Sequence, residues 1–206
     1  HYAITELLRR DLAHFVASTN MDGLHRRSGT PAEKISELHG NSYKEVCYDC
    51  GQEYLRAFDV TDTVENYLDH YTGRICSCGG DLKDTINHFT EPMNEEVMAS
   101  STENALKSDV SIVMGTTMRV HPAASFPEKA LRNNGSLVIV NLQYTPYDNE
   151  ATVKVHARTD EFMTLLMQEL GIEEFDRSFD ILEHLPKYDD DEQNYDDEQE
   201  DQPDDN

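Results

Sequence analysis

The chain has 206 residues, with 17 Lys+Arg against 41 Asp+Glu and a formal net charge of −24; this fits one ordinary domain, or one carrying a small insert, and excludes a large multidomain machine. So acidic a chain repels a phosphate backbone, and direct nucleic-acid binding is not expected. No apolar run approaches the roughly 18–20 residues that span a bilayer, and the N-terminus mixes Arg9, Arg10 and Asp11 into its apolar residues, so a soluble, non-secreted protein without a membrane partner is expected. Starting at His1 rather than Met, the chain reads as a fragment or a processed product. Nothing in the sequence sets an oligomeric state.

Along the chain, short apolar runs alternate with amphipathic stretches, the pattern of an α/β layer with a parallel sheet. The run 15–18 predicts a buried strand and leads into the polar cluster Thr19-Asn20-Met21-Asp22-Gly23-Leu24-His25. A second cluster, Glu37-Leu38-His39-Gly40-Asn41, precedes a cysteine-containing window. The spacing then predicts a helix over 94–107, a strand over 110–114, the loop Gly115-Thr116-Thr117, a helix over 126–133 capped by Gly135, and a strand over 137–140 leading to Asn141-Leu142-Gln143. From 160, Phe162, Leu165, Leu166, Met167 and Leu170 form one apolar stripe that ends at Gly171. The residues 188–206 are almost only Asp, Glu, Gln and Asn, a composition that cannot bury a core. They predict a disordered, solvated end, with a histone-mimicking or regulatory role as the alternative.

All four cysteines fall in one window: Cys47 and Cys50 as CxxC, then 25 residues, then Cys76 and Cys78 as CxC before Gly79-Gly80. A zinc–sulfur distance near ~2.3 Å requires four sulfurs to converge, and CxxC on a tight turn delivers two of them. Residues i and i+2 of a strand stand about 6.5 Å apart, so CxC serves only if Ser77 lies at a bend, which the glycines permit. Disulfides or free thiols are the alternatives, and an intracellular chain disfavours the former. One structural zinc ion is expected, and a closed four-sulfur site leaves no position for catalysis.

The polar clusters lie at the ends of predicted strands, where α/β sheets place ligands. Taken singly, Asn20 and Asp22 also suit Asx turns, His39 a helix cap before Gly40, and Gly115-Thr116-Thr117 a plain strand-to-loop turn. No GxGxxG dinucleotide fingerprint is present. Together, and in this order, the islands Asn20-x-Asp-Gly-Leu-His, Arg27-Ser-Gly, Ser36-Glu-Leu-His-Gly-Asn41, Thr72-Gly-Arg, Leu82-x-Asp-Thr-Ile86, Gly115-Thr and Val138-Ile-Val-Asn-Leu-Gln143 resemble the sirtuin family over residues 4–173, most closely the class IV branch that holds the mammalian nuclear and nucleolar members.

The resemblance implies an NAD-dependent protein-lysine deacylase: a Rossmann-like domain, here 1–40 and 91–175, with an inserted zinc ribbon, 41–90, and an acidic tail, 176–206. NAD and an acylated lysine, on a histone or other nuclear protein, would meet in the cleft between domain and ribbon, and nuclear localisation follows from the resemblance alone. Nicotinamide is released and the acyl group passes to ADP-ribose. By the same carry-over His39 is the general base on a ribose hydroxyl, a task that suits a neutral imidazole near physiological pH. Asn20 and Asp22 would hold the nicotinamide carboxamide, with Thr19 beside the ribose. Gly115, Thr116 and Thr117 would line the phosphate and adenosine side, Asn141, Leu142 and Gln143 the adenosine ribose, and Thr159 the adenine. Phe89, Thr90 and Glu91 match the segment that pairs with a substrate peptide by strand addition.

The sequence departs from the family pattern at Thr19 (for Gln), Thr117 (for Ser), Thr90 (for Gly) and CxC (for CxxC). The family's N-terminal glycine-rich phosphate loop is missing from these residues, as is the first strand, whose loss would leave unpaired sheet edges and exposed apolar surface. A catalytically inactive zinc-ribbon interaction protein and a mono-ADP-ribosyltransferase are the competing readings.

Overall fold

The computed structural model describes residues 1–89 and 91–185. Its parallel strands come in two separate pieces. One pairs β1 (Val16–Ser18) with β2 (Ile35–Glu37), in register Val16↔Ile35 to Ser18↔Glu37. The other runs β7-β8-β9, Val110–Met114, Ser136–Val140 and Val153–Val155. The parallel strands expected from the sequence are present, in two pieces among the described residues. The outer edge of β7 has no partner among the described residues, and Val110 and Ile112 on it are 48% and 41% exposed.

Between these pieces in the chain stands an antiparallel sheet of order β4-β3-β6-β5: Lys44–Cys47 (β3), Glu53–Leu55 (β4), Tyr71–Ile75 (β5) and Asp81–Asp84 (β6). Its strands are short and charged, and their interior is partly ionic. Glu45 is fully buried and accepts from Arg56 Nε at 2.7 Å, Arg74 Nε at 2.9 Å and Thr72 Oγ1 at 2.7 Å. Arg56, 2% exposed, reaches over the Tyr54 ring at 5.1 Å. Removing one partner of such a group leaves uncompensated buried charge. Glu45→Ala is therefore expected to cost about 3–5 kcal/mol, read as a shifted urea midpoint, and an unchanged midpoint would remove the structural role of Glu45 and its partners.

The helices cover the parallel strands. In α3 (Glu95–Lys107) Asn94 caps the first turn, accepting from the amides of Glu96 at 2.9 Å and Val97 at 3.2 Å. The helix α4 (Phe126–Arg132) buries Phe126 and Ala130 near a core of Val113, Met118, Ala124, Leu137 and Ile139. The left-handed residue after α4 is Asn134, not the expected Gly135. Gly135 is needed for closeness instead, since a Cβ there would stand 2.8 Å from the carbonyls of Ala130 and Asp109.

In α5 (Thr159–Glu169) the buried stripe is Met163 and Met167, with Phe162 and Leu166 beside them. Leu165 and Leu170, expected in the stripe, are 61% and 45% exposed. The partner that sets this phase is α1 (Tyr2–Arg9), whose Leu7 joins the same cluster and whose buried Glu6 pairs with Arg9 and Arg10. The short α2 (Leu24–Arg27) holds Asp180 through Arg27 Nη2 at 2.5 Å. Residues 176–185, expected as the start of the tail, are thus folded against the body, and 186–206 lie outside the described residues. No described helix is long and apolar enough to cross a membrane.

Candidate functional site

Parallel pairing of β1 with β2 continues past the strands through the Leu38 amide, which donates to the Ser18 carbonyl at 2.8 Å. The loops leaving the two strands therefore start side by side at their C-terminal ends. One carries Thr19, Asn20 and Asp22, the other His39, Gly40 and Asn41. Asp22 Oδ1 accepts from the Leu24 amide at 3.0 Å and so shapes the turn into α2. No protein group among the described residues bonds the side chains of Thr19 or Asn20.

The second loop separates cleanly into structural residues and one exception. Asn41 is fully buried: its Nδ2 donates to Glu37 Oε1 at 2.7 Å, its Oδ1 accepts from the Tyr43 amide at 2.8 Å, and its amide donates to Thr85 Oγ1 at 3.0 Å. Gly40 has φ +82°, and a Cβ there would stand 1.9 Å from the Thr85 carbonyl oxygen, so only glycine fits. These contacts fasten the exit of β6 to the end of β2. The exception is His39. It follows a strand and caps no helix, its carbonyl accepts from the Asn87 amide at 3.1 Å, and its half-buried imidazole has no protein partner among the described residues.

A cleft of about 440 Å³ opens at the C-terminal ends of β7, β8 and β9 and brings together Gly115, Asn141, Leu142, Gln143 and Thr159 with Arg158. Asn141 is held in place because its amide donates to the Val155 carbonyl at 3.1 Å and its Nδ2 to the Gln143 carbonyl at 2.9 Å. Thr159 opens α5, so the first turn of that helix, with Asp160, lines the cleft. Thr116 and Thr117 follow Gly115 but do not line the cleft; Thr116 Oγ1 instead accepts from the Met118 amide at 3.3 Å. Thr19, Asn20, Asp22 and His39 also lie outside that lining.

The four cysteines converge as expected. Cys47 Sγ stands 3.5 Å from Cys78 Sγ and Cys50 Sγ 3.6 Å from Cys76 Sγ, with all four within 4.8 Å of one another. Tetrahedral zinc with sulfur at ~2.3 Å demands sulfur–sulfur edges of about 3.8 Å, and the observed spacings fit it. A turn meets the CxC requirement: the Gly79 amide donates to the Cys76 carbonyl at 2.8 Å, and the Cys76 amide to the Gly80 carbonyl at 2.8 Å. A hydrogen bond from the Cys78 amide, and then the Tyr54 hydroxyl at 3.1 Å, bring the Cys76 thiol down to about 6. Tyr54, Cys47, Cys76 and Leu82 make the small core around these sulfurs, and the Tyr54 contribution had no signal in the cysteine spacing.

In the expected peptide-pairing segment Phe89 is 92% exposed, while Thr90 lies outside the described residues. Glu91 is engaged elsewhere, its Oε1 lying 2.7 Å from His70 Nε2 and its Oε2 accepting from the His88 amide at 2.8 Å.

The Sir2 family model matches residues 1–122. The chain is 44% identical over 185 residues to the NAD-dependent protein deacetylase sirtuin-7 of Bos taurus, covering 84% of this chain and 45% of that protein. It is 41% identical over 175 residues to the NAD-dependent protein deacetylase SRT1 of Arabidopsis thaliana, covering 84% of this chain and 36% of that one. The chain thus spans less than half the length of these curated relatives. Among solved structures it is similar to Sir2Tm bound to a propionylated peptide, with 32% identity and a TM-score of 0.65 over 84% of this chain and 70% of that one. It matches a complex of Sir2 with a p53 peptide and NAD+ at the same identity and TM-score, over 84% of this chain and 69% of that one.

Proposed function

The chain belongs to the Sir2 family, and from that premise we propose that it is an NAD-dependent protein-lysine deacylase whose substrates are acylated lysines of histones or other nuclear proteins, with the nucleus as its place of action. We assign 1–40 and 91–175 to the dinucleotide-binding part and 41–90 to the zinc ribbon. The observation that carries the reading is the unpartnered, half-buried His39 imidazole. It stands at the end of β2 beside the loop leaving β1, and the polar groups of Asn41, two residues on, are by contrast taken up by the fold.

NAD supplies the chemistry by offering an anomeric carbon from which nicotinamide departs. The residues of the chain bind, orient and move protons around it. Asn141, Leu142 and Gln143 would hold the adenosine ribose, Thr159 the adenine, and Gly115, Thr116 and Thr117 the phosphate or adenosine side. Asn20 and Asp22 present an amide and a carboxylate to the nicotinamide carboxamide, with Thr19 beside its ribose. His39, through Nδ1 or Nε2, would accept the proton of a ribose hydroxyl of the bound NAD, the role of a general base. Phe89, Thr90 and Glu91 lie along the bound peptide, and the ribbon zinc, held by Cys47, Cys50, Cys76 and Cys78, stays structural.

Calorimetric titration with NAD tests this, on the present chain and on a form extended upstream in its native reading frame, each with its zinc content measured. Mass spectrometry of an acetyl-lysine peptide reaction reads the product. Expected are NAD binding by the extended form and formation of free lysine with O-acetyl-ADP-ribose. A folded, zinc-loaded extended form that binds no NAD would leave the interaction-protein reading in its place. ADP-ribose transferred to protein without deacylation would point to the ADP-ribosyltransferase.

A further inference from the structure

A second set of potential metal ligands lies away from the cysteines, at the start of β5 and in the loop after β6. His70, His88 and Glu91, all half-buried, offer ligand atoms within 4.8 Å of one another. The two imidazoles stack with centroids 5.5 Å apart at 27°, and Tyr67 packs edge-on against His88 at 4.9 Å. Glu91 is aimed by the His88 amide, which bonds its Oε2 at 2.8 Å and leaves Oε1 turned toward His70.

Charge balance at His70 points to a cation. Nδ1 lies 3.0 Å from Asp84 Oδ1 and Nε2 lies 2.7 Å from Glu91 Oε1. A neutral imidazole carries one N–H and cannot satisfy two carboxylates. With that hydrogen on Nδ1, facing Asp84, the Nε2 lone pair meets the Glu91 oxygen, and either a second proton on Nε2 or a metal ion between them relieves the repulsion. A carboxylate on the outer nitrogen is also the usual support of a metal-bound imidazole, and Asp84 is buried here.

We propose that His70 Nε2, a ring nitrogen of His88 and Glu91 Oε1 form a second metal site, for a borderline divalent cation such as zinc or nickel, with Asp84 as the outer partner of His70. Two imidazoles and one carboxylate are a donor set that such ions accept, and it leaves a coordination position open for water. Bonds of about 2.0–2.1 Å require the His70–Glu91 pair to widen to roughly 3.3 Å, a side-chain adjustment. Asp84 and His88 also line a cleft of about 230 Å³ with Met21, Ser42 and Tyr67, so the bound ion would stand at that cleft's wall. The site does not depend on the deacylase reading.

The test is calorimetric titration of the full chain, already carrying its cysteine-bound zinc, with Zn2+ alone. In parallel, Ni2+ is added to follow paramagnetic broadening of the histidine ring resonances. One further ion is expected, bound at least 10-fold more weakly in His70→Ala, His88→Ala and Glu91→Gln, and about 10-fold more weakly in Asp84→Asn. His156→Ala serves as a control and should bind unchanged. In the wild type the His70 and His88 rings should broaden first. That readout decides the matter even if a variant fails to retain its cysteine-bound zinc. Absence of a further ion would overturn the proposal, because His70 is then held by a proton. So would an ion whose affinity none of the four substitutions changes, which is the result expected if acidic residues elsewhere capture it.

Discussion

Removing the ion from Cys47, Cys50, Cys76 and Cys78 is expected to unfold the antiparallel sheet. The buried cluster there has four members, and two of them are the ligands Cys47 and Cys76. A module of that size has too little apolar surface to fold unaided. Zinc binding to such sites is worth roughly 10–16 kcal/mol near neutral pH, more than the module's own interactions supply. Cys76→Ser should reduce zinc from about one per chain to a small fraction, and chelation of the wild type should turn the amides of 44–84 from slow to fast exchange. The loss should be confined to the ribbon and the loop after β2 at first, since the core around Leu137 and Ile139 shares no residue with it. Persistent protection of the β3 and β6 amides after chelation would show that the ionic network around Glu45 suffices without the metal.

His39→Ala is expected to lower turnover by about 10²–10⁴-fold, the range for loss of a general base, while calorimetric NAD affinity changes little. The separation is possible because the fold uses the backbone of His39, through its carbonyl and the Asn87 amide, and not its ring. Its neighbours are different: truncating the fully buried Asn41 would strand the groups it bonds and cost stability before activity could be read. Single-turnover kinetics with an acetyl-lysine peptide would distinguish the two. A variant that turns over normally would remove His39 from the reaction.

Some of this was legible in the residues and some was not. The strand β8 shows as a continuous apolar run because both its faces are covered, which is how parallel strands read; β7 carries a similar run although Val110 and Ile112 on it are exposed. Asn94 announces α3 because an Asx side chain before a helical stretch has few other uses. The helix α1 is harder to see: its apolar residues do fall on one face, but it is only eight residues long, and what Leu7 packs against is set by α5. For the same reason the phase of α5 was read wrongly at Leu165 and Leu170, because the direction of its neighbour is tertiary information. The ribbon strands stayed hidden behind their charges, since Glu45, Arg56 and Arg74 look like surface residues until they are seen paired inside. At the site, the clusters were readable as clusters, but the division of labour within them was not. Nothing in Glu-Leu-His-Gly-Asn says that Asn41 is an internal brace and His39 is not.

The contact of Gly40 with Thr85 ties the ribbon to the backbone that carries His39. A residue without a side chain, wedged against a carbonyl at the end of β6, acts as a fulcrum with no slack. Tilting of the ribbon, whether from a docking peptide or from thermal motion, must carry the adjoining His39 with it. The ribbon is therefore a lever on the backbone that carries His39, and if His39 is the base proposed above, the stiffness set by four sulfurs at the far end bears on how accurately it is aimed.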